Sequence, residues 1–143
     1  MRRLTVLGLI FTTILSTGCI FGNTATAPTS YTIVSPVTEI FQGTLDAKGS
    51  AFYSFIIGNP DPVRITLASL TATSNGAAVV TNVKLGFGVP DGTTCATTFS
   101  TTTTASLVSQ YFQVASPGTY CVIVSDPGTM TTSLNFAVRI IHS

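Results

Sequence analysis

Few groups in this chain could do chemistry. Its 143 residues include five acids, six Lys and Arg, one His and three Cys, and charged residues make up only 8%. The acids are Glu39, Asp46, Asp61, Asp91 and Asp126, and the one imidazole is His142. A Ser-His-Asp relay requires an imidazole held between its neighbours. His142 stands next to the last residue, a position where chains are often loosely ordered, so it is a weak candidate base. Paired carboxylates could flank a glycosidic bond. Yet Asp46, Asp61, Asp91 and Asp126 all lie in turn-like sequence, where a short carboxylate accepts backbone N–H groups. Calcium needs several oxygen ligands, and Asp61, Asp91 and Asp126 could supply them only if their loops met at one end of the fold. Gly86 and Gly88 do not form a phosphate loop. They sit in a strand pattern with no helix after them and indicate a bulge or a close backbone approach. No catalytic residue, metal or cofactor is expected, and the chain is read as a non-enzyme.

The start of the chain carries a different chemistry. Arg2 and Arg3 precede an uncharged apolar run over residues 4–15, and the small residues Ser16, Thr17 and Gly18 lead to Cys19. These are the three parts of an export signal. The apolar run holds 12 residues, too few for a bilayer core that needs about 20. Leu15-Ser16-Thr17-Gly18-Cys19 resembles the lipobox of bacterial lipoproteins. That resemblance implies cleavage before Cys19 and a diacylglycerol on its sulfur, with the membrane as partner through that anchor. Two or more acyl chains make such attachment stable. Ile20 stands where an Asp would imply inner-membrane retention, so the resemblance implies the outer membrane of a diderm, or the outer face of the plasma membrane in a monoderm. Ser16 and Gly18 also fit a plain small-x-small cleavage site, so simple secretion is the alternative.

Lipidation of Cys19 leaves Cys95 and Cys121 as an even pair in an oxidising compartment. They are 26 positions apart and are expected to form a disulfide. Two Cys and one His cannot complete a four-ligand zinc site.

The elements that position these groups read as strands. Residues 1–18 are the signal, residues 19–30 the lipidated Cys and a flexible tether broken by Pro28, and residues 31–143 one domain. Val83, Leu85, Phe87 and Val89 alternate with Asn82, Lys84, Gly86 and Gly88. Leu134, Phe136, Val138 and Ile140 alternate with Asn135, Ala137, Arg139 and Ile141, and Val63, Ile65 and Leu67 with Arg64, Thr66 and Ala68. Such period-two patterns bury one face of a strand. Further strands are expected at about 37–45, 50–58, 106–115 and 118–125. Turn residues separate them, as at Pro90-Asp91-Gly92 and Ser116-Pro117-Gly118. The segment 97–104 holds six Thr in eight residues and fits a solvated strand or loop equally. Seven or eight short strands predict an all-β fold, an antiparallel β-sandwich with one disulfide.

Several of these strands resemble the bacterial pre-peptidase C-terminal domain family. Phe41-Gln42-Gly43-Thr44-Leu45, Phe52-Tyr53-Ser54-Phe55, Val83-Lys84-Leu85-Gly86-Phe87 and Asn135-Phe136-Ala137-Val138 follow its strand pattern, and Pro117-Gly118-Thr119-Tyr120-Cys121-Val122 follows its G-T-Y strand. The resemblance implies a jelly-roll-like sandwich serving as a non-catalytic accessory or binding module. Thr81 and Asn82 stand where many members carry Asp, and the Cys pair is unusual for the family.

Composition narrows the function further. A net charge of +1 excludes a nucleic-acid binder working through a basic stripe. Apolar content of 45% with so few charges excludes a solvated disordered chain. The expectation is a membrane-anchored cell-envelope lipoprotein with an unknown protein or glycan partner. A carbohydrate-binding module, which would need an exposed row of Tyr, and a self-associating envelope component are the alternatives.

Overall fold

The computed structural model describes residues 34–143; the signal, Cys19, Tyr31 and the tether lie outside the described residues. Alternating apolar side chains in this stretch produce eight strands: β1 (Val37–Leu45), β2 (Ser50–Ile57), β3 (Asp61–Ala72), β4 (Val83–Asp91), β5 (Thr94–Thr103), β6 (Tyr111–Ala115), β7 (Gly118–Ser125) and β8 (Leu134–His142). They form two four-stranded sheets, β1-β8-β3-β6 and β2-β7-β4-β5, with antiparallel pairing throughout. Consecutive strands cross between the sheets except for the β4–β5 hairpin, and this order is the jelly-roll arrangement of a double-sheet sandwich. β8 shows the cause most plainly: its residues alternate between buried and half-buried along its whole length.

Inner faces of both sheets meet in one core. Leu45, Val63, Ile65, Leu67, Val138 and Ile140 come from the first sheet, and Ile57, Val83, Leu85, Val122 and Val124 from the second. An aromatic cluster extends it: Phe87 stacks on Tyr111 at 4.6 Å and on Tyr120 at 5.2 Å between ring centroids. Stacked rings in this range add favourable contact beyond area burial.

The topology gives the sandwich two distinct ends. One holds the β1–β2, β3–β4, β5–β6 and β7–β8 connections. The other holds the three short turns that remain and receives both the incoming chain at Val34–Pro36 and the last residue, Ser143.

β6 is shorter than the expected strand at 106–115. Residues 106–110 instead run along the free edge of β3, where Ser106 N–H donates to Leu67 O at 2.9 Å and Leu67 N–H donates to Gln110 Oε1 at 2.8 Å. Leu107 therefore stands in solvent rather than in the core. The Thr-rich segment resolves into most of β5, an edge strand whose outward Thr side chains need no apolar partner.

Candidate functional site

The single imidazole is firmly held. His142 ends β8 opposite Val37, so it lies inside the sandwich near Glu39 of β1. Its Nε2–H donates to Glu39 Oε1 at 2.8 Å, and its ring packs on Phe55 with centroids 5.2 Å apart. Tyr53 of β2 donates its hydroxyl to the other oxygen, Glu39 Oε2. That bond is the main reason the Tyr53 phenol is pushed above its ordinary range, with desolvation and the nearby charge adding to it. Phe41 stacks on Tyr53 at 5.5 Å. Glu39 thus accepts from both sheets and closes the β1–β2 side of the sandwich. The expectation of a loose terminal His was wrong: Ser143 O accepts from Gly58 N–H and Asn59 N–H, and its hydroxyl donates to Asp61. These contacts fix the strand that carries His142. His142 is buried and Glu39 half-buried, and the ring's other nitrogen, Nδ1, is buried with no hydrogen-bond partner, so no hydroxyl or thiol stands where a relay would need a nucleophile.

The acids separate. Asp61 and Asp91 belong to the end that receives the incoming chain, Asp126 to the other. The three do not converge on a calcium site, and among the described residues no three His, Cys, Asp or Glu are grouped to hold a metal. Asp126 does the turn work expected of it: Oδ1 accepts from Gly128, Thr129 and Met130 N–H, and Oδ2 from Lys48 N–H at 2.7 Å. Desolvation, the largest single influence, pushes its carboxyl up, but the four N–H groups together hold it below the usual carboxylate range. Asp46 accepts from Ser133 Oγ instead of from backbone.

Cys95 and Cys121 are disulfide-bonded, the pair expected from the cysteine count. Cys95 is on β5 and Cys121 on β7, the two neighbours of β4, so the bridge passes over that central strand. β4 has Gly where it is crossed. The ladder bulges between Phe87 and Gly88, and a Cβ on Gly88 would lie 1.9 Å from Ala96 O. One on Gly86 would meet methyl groups of Thr97 and Ile123 at 2.7 and 2.8 Å. Both readings of the glycines, bulge and close approach, hold.

The outer face of the β1-β8-β3-β6 sheet is open to solvent. Register places Arg64 beside Ile141 and Phe112, and Arg139 beside Ile40 and Thr66. The Arg64 guanidinium lies 5.0 Å from the Phe112 ring centroid. Phe112, Val114 and Ile40 are 60%, 62% and 55% exposed. Arg139 has a buried Nε with no hydrogen-bond partner. A hollow of about 210 Å³ between Pro36, Asp61, Pro62, Arg64 and Ile141 opens at this end of the face. Further along it, a wider hollow of about 460 Å³ is lined by the amides and hydroxyls of Gln42, Thr44, Ser69, Thr71 and Asn135. Neither Arg forms an ion pair among the described residues.

The residue alternation contained the parity that points Arg64 and Arg139 outward. It did not contain the strand order that makes them neighbours. The Tyr row that a sugar platform would need is missing among the described residues: Tyr53, Tyr111 and Tyr120 all pack on the core. No protein-family model matches the chain, and no curated protein does.

Proposed function

We propose that this protein is a non-enzymatic cell-envelope lipoprotein, held on a membrane by a lipid on Cys19 and presenting a jelly-roll binding module. The observation that carries the non-catalytic reading is the use of its acids. Glu39, Asp46, Asp61 and Asp126 are engaged by partners within the fold, and His142 is buried against Glu39. The groups left over include two arginines and exposed apolar side chains gathered on one sheet face, which suit recognition better than bond breaking. The anchor rests on the lipobox-like sequence before Cys19. Metabolic labelling with a palmitate analogue tests it: wild type should incorporate label and Cys19→Ala should not. Equal absence of label in both defeats the anchor.

One observation favours a second reading, self-association. β5 is an edge strand of ten residues with no charge and no Pro, the features that ordinarily block edge pairing. Sedimentation showing concentration-dependent dimers, abolished in Thr101→Lys, would support it; a monomer at all concentrations would remove it.

A further inference from the structure

The geometry points to the half of the open sheet face nearest the incoming chain, around Arg64, Phe112 and Ile141, as a surface that lies on an anionic lipid bilayer. This inference rests on the lipid anchor at Cys19 proposed above. Three observations favour a bilayer over other partners. First, the face has a mixed character that interfaces with lipid favour: Ile40 on one edge strand and Phe112 and Val114 on the other offer apolar side chains to either side of two guanidiniums on the central strands. Arg and aromatic side chains suit the boundary between headgroup and acyl chain. Second, the two guanidiniums are unpaired among the described residues, and the carboxylate that shares the smaller hollow with Arg64, Asp61, is engaged by the Ser143 hydroxyl. The Nε of Arg139 lacks an acceptor. Third, the incoming chain joins this same patch. Pro36 lines the smaller hollow with Asp61, Pro62, Arg64 and Ile141, and Val34, two positions before it, is exposed.

Cys19 precedes Val34 by 15 positions, so an extended connection reaches at most about 50 Å. A domain on so short a lead meets its own membrane at an effective concentration near millimolar. Weak contacts then suffice to lay it down. Near an anionic surface each Arg strengthens residence about fivefold.

The chain has no Trp, which makes a single introduced Trp a clean reporter. The test uses the lipidated mature protein in vesicles of phosphatidylethanolamine and phosphatidylglycerol with brominated acyl chains. Phe112→Trp should be quenched far more than Ile56→Trp, which stands exposed on the opposite face near the same end. Adding Arg64→Gln and Arg139→Gln, or replacing phosphatidylglycerol by phosphatidylcholine, should weaken that quenching. Lys84→Gln should leave it unchanged. If the protein does not float with the vesicles, the anchor fails and the docking falls with it. If it floats but both reporters are quenched equally, the anchor stands and the docking is overturned. A blue shift in the emission of the Phe112→Trp variant with soluble polygalacturonate, without quenching by brominated lipid, overturns the docking in favour of a glycan.

Discussion

The two sheets turn very different outer faces to solvent. On the β2-β7-β4-β5 side the central strand gives up side chains at Gly86 and Gly88, and the Cys95–Cys121 bridge fills the space above it. On the β1-β8-β3-β6 side the central strands keep Arg139, Ile141, Arg64 and Pro62, and the surface between them is hollowed. One face is occupied by the fold's own cross-link. The other carries side chains that few internal contacts require. The first should therefore tolerate little change without loss of stability, and the second should tolerate much.

Gly88→Ala is the most severe way to break this contrast. Its Cβ would collide with backbone that no rotamer can move, so the variant should lose about 4 kcal/mol or more. Gly58→Ala has open space around it and should stay within about 1 kcal/mol of wild type. Urea denaturation of both compares them directly, and equal losses would erase the distinction. The double change Cys95→Ala with Cys121→Ala should cost about 3–4 kcal/mol, the entropy of a loop of this length. A midpoint unchanged from the oxidised wild type would show that the bridge adds nothing.

Glu39→Ala removes a contact that belongs to neither face but joins the sheets behind them. It strands the buried His142 and the Tyr53 hydroxyl, so about 2–3 kcal/mol should be lost. Glu39→Gln, which keeps an acceptor, should recover part of this in the same measurement. Asp126 has a smaller effect, confined to acid. Its folded carboxyl titrates below the usual value near 3.8, so its contribution is present above that value and disappears as pH falls through the depressed one. Thermal melting followed from neutral pH into acid should fall more gently in Asp126→Asn. Least of all, Arg64→Gln and Arg139→Gln should each change stability by no more than about 0.5 kcal/mol. A larger loss would mean that the open face is structural after all.

Much of this fold was legible because its strands alternate cleanly. The expected strand at 37–45 coincides with β1, and those at 50–58 and 118–125 fall within a residue of β2 and β7. β5 was ambiguous because Thr is at home in both strand and loop, and its edge position removes the apolar period that would have decided it. Leu107 suggested an early start for β6, but a Gln110 side chain bonds to the β3 backbone there and holds a loop. The disulfide followed from counting sulfurs. The clasp at Glu39 did not, since Glu39, Tyr53 and His142 are brought together only by a register and crossover that local pattern leaves open. The anchor at Cys19 is a reading of sequence alone.

β1 has a single ladder partner, and it is β8. The earliest strand to be synthesised must therefore wait for the latest before it can hydrogen-bond along its length. Throughout that wait Ile40, Phe41 and Leu45 form an unmatched apolar ribbon, open to capture by a chaperone or by another nascent copy. Insertion of the last strand between β1 and β3 then completes the sheet in one late step, so assembly is timed by delivery of the final segment.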